Sequence, residues 1–158
     1  MVIYLIGPSG AGKTTCATEA AQVLDIEHRE LDVICKGRTN DWEYCQRALL
    51  HIEDGGREGS LILDIGAGTQ NDCTRELEQY LTPRSKNVIL ITMPPGELHV
   101  RKNEGRSLED FKHIEYDTRT ELYAIPAQRL DVTGKSKDEA KEYFASYLGR
   151  VLGIALRT

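Results

Sequence analysis

Residues 7–14 form a glycine-rich segment, and they are the first in the chain whose types and spacing could support a chemical function. The loop reads Gly-Pro-Ser-Gly-Ala-Gly-Lys-Thr, which fully matches the pattern of a glycine, any four residues, Gly-Lys and Ser or Thr. Glycines let successive backbone N–H groups point inward as an anion cradle. A helix beginning near Lys13 would add the positive end of its dipole. The pattern therefore predicts a site for a nucleoside triphosphate rather than a plain turn.

Two residues of this loop and the residue that follows it have separate predicted roles. Lys13 would reach the β- and γ-phosphates as a catalytic residue, and the Thr14 hydroxyl would bind Mg²⁺. Thr15 could donate to the α-phosphate. The motif alone does not say where the phosphoryl group goes. The predicted nucleotide-binding residues are Gly7, Pro8, Ser9, Gly10, Ala11, Gly12, Lys13, Thr14 and Thr15.

Carboxylates follow two candidate strands. Asp64 lies in the apolar run 61–65 and is a predicted Mg²⁺ ligand, directly or through water; a turn-capping carboxylate is the alternative. Asp32 would lie at the same sheet edge, where open α/β sheets bind ligands. We expect Asp32 to take an acceptor hydroxyl as base or orienter, and we count it as a further candidate Mg²⁺ ligand. Glu30 would face the same acceptor if the strand continues; Asp32 could instead be a loop carboxylate.

The turn after Asp64 and three arginines complete the candidate site. Gly66, Ala67 and Gly68 are predicted to bring backbone close to the acceptor, or else to form a plain strand-to-helix turn.

Arg106 lies in a polar segment between two helical patterns and is a predicted catalytic lid residue that excludes water on closing. The alternative is a solvated loop charge. Arg119 is a predicted catalytic residue on a helix, unless it simply pairs with Glu115 four residues earlier. Arg47 is a loose candidate for the acceptor pocket.

The elements that must position these residues alternate along the chain. Buried-strand runs at 2–6, 61–65 and 87–92, with weaker candidates at 27–31 and 129–132, are interleaved with helical patterns. This alternation predicts an α/β fold with a parallel sheet. The predicted helices span 13–24, 41–54, 72–81, 96–103, 108–125 and 138–152.

Size and composition set further limits. A chain of 158 residues, 40% hydrophobic and 28% charged, is typical of one ordinary globular domain, so we predict a single domain over 1–158. The net charge of −5 argues against non-specific nucleic-acid binding. The four cysteines form no Cys-x-x-Cys pair and are predicted to be reduced thiols in a cytoplasmic protein. No apolar run approaches the roughly 18 residues of a membrane span, and no signal peptide is predicted.

In order and spacing, several segments resemble the shikimate-kinase-like branch of the small P-loop kinases, which includes relatives of nucleoside-monophosphate kinases and gluconate kinases. The matching segments are the loop 7–14, 30–34, the turn 66–68 and 131–140. Segment 119–127 is similar to the R-x-x-L-Y-x-x-x-A helix of that family. Two residues depart from the family pattern. Glu30 replaces the first Asp of the family's Asp-x-Asp motif, and Ala67 replaces one glycine of its triple-glycine turn. These departures leave the acceptor open between shikimate and another small hydroxylated molecule.

The resemblance implies a three-layer sandwich around a five-stranded parallel sheet of order 2-3-1-4-5, the P-loop nucleoside triphosphate hydrolase fold. It also implies ATP and Mg²⁺, an acceptor-binding region near 33–57 and a lid near 102–111. We predict an ATP-dependent kinase of a small hydroxylated acceptor, a monomer or weak dimer with no membrane or nucleic-acid partner. The alternatives are a nucleotide-binding regulator or degenerate paralogue without phosphotransfer, and a kinase of nucleotides or nucleic-acid ends. The mostly neutral or acidic segment 32–57 argues against a nucleic-acid end.

Overall fold

The computed structural model describes residues 1–55, 59–102 and 105–153. Two predicted regions therefore lie partly outside the described residues. Residues 56 and 57 of the acceptor-binding region, and Asn103 and Glu104 of the lid, are not described.

The sheet has five parallel strands, which are β1 Val2–Ile6, β2 Glu27–Glu30, β3 Leu61–Asp64, β4 Val88–Thr92 and β5 Gln128–Asp131. Their order across the sheet is β2-β3-β1-β4-β5, as predicted. Strand β1, which is apolar at every position, is buried throughout and lies at the centre, where both sheet faces are covered.

Strand register brings the candidate site residues to one edge. Asp64 lies beside Leu5 of β1 and beside Glu30 of β2, so the two carboxylates end neighbouring strands. The chain leaves β1 directly into the glycine-rich loop at Gly7, next to this pair. Parallel pairing thus places residues far apart in sequence at one carboxyl edge.

Helices cover both faces of the sheet. Alternate β1 residues point to opposite faces: Ile3 and Leu5 join the core on one side, and Tyr4 and Ile6 join the core on the other. The described helices are α1 Lys13–Leu24, α2 Leu31–Ile34, α3 Trp42–Glu53, α4 Ala67–Asp72, α5 Thr74–Leu81, α6 Pro95–Lys102, α7 Leu108–Glu115, α8 Thr120–Tyr123 and α9 Lys137–Leu152. The first core includes residues of α1 and α9 and the second includes residues of α3 and α5, which gives the three-layer sandwich.

Two predicted helices are broken in the structure. The helix predicted over 72–81 is interrupted at Cys73, whose backbone is not helical. Residue 72 ends the separate helix α4, and α5 covers the rest of the predicted helix. The continuous helix predicted over 108–125 is wrong: α7 ends at Glu115, a 3-10 turn covers Asp117–Arg119, and α8 follows. The Tyr116 hydroxyl donates to the Met93 carbonyl at 2.6 Å, which anchors the break to the sheet. Tertiary contacts override the helical pattern here.

Strand β2 also stops earlier than predicted. It ends at Glu30, and Leu31 begins α2, so Asp32 lies in the first turn of a short helix and not on the strand. Glu30 was expected to face the acceptor beside Asp32 if the strand continued through both residues. The strand does not continue that far. Both residues nevertheless line the same cleft.

Within the described ranges, no helix combines the length and apolarity that crossing a bilayer requires. The four cysteines are buried thiols, and burial raises the pKa of Cys16 and of Cys73 to about 11. Such thiols stay protonated at neutral pH.

Candidate active site

A cleft of about 350 Å³ opens at the carboxyl edge of the sheet. It joins the glycine-rich loop to the ends of β2 and β3 and to the start of α9. The lining residues are Ser9, Gly10, Gly12, Lys13, Thr14, Thr15, Glu30, Asp32, Val33, Asp64, Gly66, Ala67 and Lys137.

The backbone of the loop requires glycine at its entry and at the start of α1. Gly7 has a φ of +147°, and a Cβ there would lie 2.6 Å from the Ile91 carbonyl oxygen. Gly12 has a φ of +90° and forms the N-cap of α1. No described side chain caps α1, and its first turn contains no acidic residue. The first N–H groups of α1 therefore suit an external anion such as a phosphate.

Lys13 places its ammonium in this loop. The residue is only 7% exposed, and its Nζ donates to the Pro8 carbonyl at 3.4 Å. Burial lowers the pKa of Lys13, and the nearby Asp64 carboxylate opposes that shift. A phosphate group beside Lys13 would compensate the buried charge, so the lysine fits the predicted role.

Thr14, Asp64 and Glu30 form a group of oxygen atoms next to the loop. The Thr14 hydroxyl donates to Asp64 Oδ2 at 2.8 Å and has Glu30 Oε1 at 3.3 Å. Asp64 is 3% exposed, and its Oδ1 has no hydrogen-bond partner among the described residues. Burial raises the pKa of Asp64. A buried carboxylate oxygen without a donor, beside a hydroxyl and a second carboxylate, fits Mg²⁺ as a hard cation.

Asp32 lies over the turn that follows β3. Its Oδ2 accepts from the Gly68 N–H at 3.0 Å, and its Oδ1 accepts from the N–H and the hydroxyl of Thr69, at 3.3 and 2.6 Å. A Cβ on Gly66 would lie 2.2 Å from Asp32 Oδ2. The absence of a side chain at Gly66 therefore lets the Asp32 carboxylate approach the backbone, so the close contact is with a side chain of the protein itself. Ala67 lines the cleft beside it.

Gln70 of α4 holds the entry of the loop. This buried side chain accepts from the Gly7 N–H at 3.3 Å and donates to the Gly7 carbonyl at 3.1 Å. It also accepts from the Tyr123 hydroxyl at 2.8 Å. The loop entry is thereby linked to the segment around Arg119.

Arg119 is fully buried and does not line the cleft. Its guanidinium donates to Asn71 Oδ1 and to the Tyr123 hydroxyl, both at 2.8 Å, and pairs with Glu115 Oε2 at 3.1 Å. The pairing with Glu115, which was the alternative from the sequence, is present. Glu115 Oε2 also accepts from the Ser9 N–H at 3.1 Å. Contacts thus run in a closed ring from Gly7 through Gln70, Tyr123, Arg119 and Glu115 back to Ser9.

The predicted lid residue Arg106 is directed toward the same carboxylate. Its Nη2 lies 3.5 Å from Glu115 Oε1, and its guanidinium lies 5.0 Å from the centre of the Phe111 ring. Nearby, Lys102 Nζ donates to Ser9 Oγ at 2.9 Å. Glu115 therefore contacts Arg106, Arg119 and the glycine-rich loop together.

Arg47, like Arg119, is a predicted site residue that does not line the cleft. It is exposed on α3 and lines a different cavity with Arg29, Tyr44 and His51. Conversely, the structure brings to the site some residues that were not predicted from the sequence. These are Lys137, Gln70 and Glu115, the last in its anchoring role. Glu115 was visible only as a residue four positions before an arginine, and Gln70 only as a polar residue after the glycine turn.

The sheet order, the loop after β1 and the helices on both faces define the fold of the small P-loop kinases. No protein-family model matches the chain. Shikimate kinase 1 of Escherichia coli (strain K12 / DH10B) is 27% identical over 95% of this chain and 95% of its own.

Two solved structures share the fold. The shikimate kinase from Aquifex aeolicus superimposes with a TM-score of 0.65 at 20% identity, covering 97% of this chain and 99% of its own. A gluconokinase from Sinorhizobium meliloti superimposes with a TM-score of 0.61 at 15% identity, covering 96% of this chain and 93% of its own. The predicted resemblance to shikimate-kinase-like small P-loop kinases is confirmed.

Gly66→Ala should lower the free energy of unfolding by about 1–3 kcal/mol, because the new methyl group must displace the Asp32 carboxylate. The cost should shrink in an Asp32→Ala background, which a double-mutant cycle in urea would measure. Gly96→Ala is the matched control, since a Cβ at that position would meet no described atom within 4 Å apart from its chain neighbours and the backbone of its own helix. Equal costs of Gly66→Ala in both backgrounds would contradict the contact with Asp32.

Glu115→Leu should lower the free energy of unfolding by about 3–5 kcal/mol, because it leaves the buried Arg119 guanidinium without its carboxylate. Adding Arg119→Met should restore part of this loss. Glu109→Gln, an exposed change on the same helix, is the control and should have little effect. Urea midpoints for the three variants test this; an unchanged midpoint for Glu115→Leu would rule out the buried pair.

Proposed function

We propose that the protein is a small-molecule kinase that transfers the γ-phosphoryl group of ATP to a hydroxyl group. The observation that carries this proposal is the arrangement of the uncapped start of α1, buried Lys13 and the Thr14–Asp64 pair in one cleft. Similarity to shikimate kinases and to a gluconokinase supports a small hydroxylated acceptor. One domain that works in the cytoplasm as a monomer or weak dimer is part of the same proposal.

Residues of the loop would bind the triphosphate. The N–H groups at the start of α1 and the Lys13 ammonium would hold the phosphate oxygens and offset the charge that develops during transfer. Thr14 and Asp64 would hold Mg²⁺, with Glu30 beside them. Mg²⁺ held by these residues would neutralise part of the charge of the phosphates.

Asp32 is the residue we propose for the acceptor. A carboxylate offers about four lone-pair sites, and three donors from Gly68 and Thr69 already contact it. The remaining site can accept the acceptor hydroxyl and orient its oxygen. In the transfer, a bond forms from that oxygen to the γ-phosphorus, the bond to the bridging oxygen of ADP breaks, and the hydroxyl proton passes toward Asp32.

Arg106 would close over the phosphates from the lid segment, exchanging its contact with Glu115 for one with the nucleotide. Arg119 would act at a distance, because it is fully buried and its three partners among the described residues are protein groups. We therefore propose that Arg119 positions Glu115 and, through Glu115, the Ser9 amide.

Lys13→Met should reduce phosphotransfer by at least roughly 100-fold, because it removes the buried cation that stabilises transferred charge. The fold should be retained, and circular dichroism with thermal melting would check this. The measurement is coupled ADP release over shikimate, gluconate, nucleoside monophosphates and neutral alcohols, with the phosphorylated product identified by mass spectrometry. Lys86→Met, an exposed change, is the control.

Wild-type turnover in Lys13→Met would contradict this assignment. Binding of Mg·ATP with no phosphorylated product across a broad acceptor panel would instead support the nucleotide-binding regulator. Transfer confined to nucleoside monophosphates would support the nucleotide kinase.

A further inference from the structure

We propose that the hydroxyl group of Ser9 donates a hydrogen bond to the terminal phosphate of the nucleotide, and that Lys102 positions and polarises this hydroxyl. The inference rests on the proposed kinase function and adds two roles to it. Ser9 becomes a side-chain ligand of the phosphoryl group that is transferred. Lys102 is a positioning residue that acts through Ser9.

Lys102 lies directly over the tip of the glycine-rich loop. It is the last residue of α6, and its Nζ donates to Ser9 Oγ at 2.9 Å. A Cβ on Gly10 would lie 2.7 Å from both Cγ and Cδ of Lys102, and 3.4 Å from Cδ1 of Leu98. Leu98 is fully buried, and residues four apart on a helix lie on the same face. The packing of α6 therefore holds the lysine stem against the loop.

The direction of this hydrogen bond leaves the Ser9 hydroxyl with a hydrogen to donate. A lysine ammonium has three donors and no acceptor, whereas a serine hydroxyl has one donor and two acceptor lone pairs. Ser9 Oγ is therefore the acceptor from Lys102, and its own hydrogen is directed away from the ammonium. A bond from a cationic donor also polarises the hydroxyl, which strengthens the bond that the hydroxyl donates next.

The cleft lies beside this hydroxyl. Ser9 lines it together with Asp32, the residue proposed for the acceptor, whereas Lys102 is not among the described residues that line it. A phosphoryl group that passes from the nucleotide to an acceptor held at Asp32 must lie between the loop and that carboxylate. The Ser9 hydroxyl is therefore placed to donate to the terminal phosphate, and Lys102 acts on that phosphate through Ser9.

The backbone of Ser9 explains why a side-chain donor matters at this position. A phosphate-binding loop holds its anion with successive backbone N–H groups. The Ser9 N–H instead donates to Glu115 Oε2 at 3.1 Å, so a carboxylate of the protein already occupies this donor. The hydroxyl of the same residue can supply the hydrogen bond that its N–H does not.

The test measures how strongly the protein prefers a triphosphate to a diphosphate. Calorimetric titration uses Mg·ADP and the Mg²⁺ complex of the imido analogue of ATP, which is not hydrolysed during the titration. Ser9→Ala removes one hydrogen bond to a charged group, so the dissociation constant of the triphosphate should rise roughly tenfold, and that of Mg·ADP less than about twofold. Thermal melting checks that each variant retains the fold.

Lys102→Met tests the action through Ser9. Methionine keeps an apolar stem against Gly10 but removes the ammonium, so the preference for the triphosphate should fall several-fold. Added to Ser9→Ala, Lys102→Met should cause little further loss, because both changes interrupt the same chain of hydrogen bonds. Lys112→Met, an exposed change on α7, is the matched control and should leave both dissociation constants unchanged.

Equal losses of affinity for Mg·ADP and the triphosphate in Ser9→Ala, or no loss for either, would overturn the inference and leave the kinase proposal intact. Additive losses from Ser9→Ala and Lys102→Met would overturn the role of Lys102, since the lysine would then act independently of the serine. No binding of either nucleotide by the unaltered protein would contradict the proposed nucleotide site itself, and the inference with it.

Discussion

The ring of buried contacts that begins at Gly7 and returns at Ser9 is the constraint on which the rest of the site depends. The Gln70 side chain accepts a hydrogen bond from the Gly7 N–H and donates one to the Gly7 carbonyl, and the Glu115 carboxylate accepts one from the Ser9 N–H. Between them, the Tyr123 hydroxyl and the Arg119 guanidinium complete the connection. Buried hydrogen bonds and ion pairs that join several groups in this way rigidify those groups. The loop is therefore held in shape from two elements distant in sequence.

This constraint has an electrostatic consequence for the cleft. Glu115 pairs with both Arg119 and Arg106, so two cations share this one carboxylate. The positive groups that line the cleft are Lys13 and Lys137, which lie with the start of α1. The carboxylates of Glu30, Asp32 and Asp64 line the same cleft.

The parts of this protein that local patterns determine could be predicted from sequence. The loop motif, the buried run of β1 and the alternation of strands and helices identified the fold and the residues Lys13, Thr14 and Asp64. Sheet order came from the resemblance. Long-range contacts were not accessible in this way: Gln70 reaches back to Gly7 across 63 positions, and Glu115 reaches Ser9 across 106.

The errors have the same physical origin. Helical periodicity over 108–125 gave no sign that Tyr116 bonds to the sheet and that Arg119 is tied to three groups, contacts that accompany the break in the helix. Local patterns likewise did not reveal that the Asp32 carboxylate lies beside Gly66 and Gly68. Arg47 was chosen by its position in the chain, and helix α3 directs it to another cavity.

The most direct test of the central claim is calorimetric titration of the purified chain with Mg·ATP and Mg·GTP, followed by thermal melting of the same samples. We expect one nucleotide site per chain, measurable heat with at least one of the two nucleotides, and a melting temperature that rises with nucleotide concentration. Absence of both heat and thermal shift with either nucleotide would contradict the claim that residues 7–14 form a phosphate-binding loop.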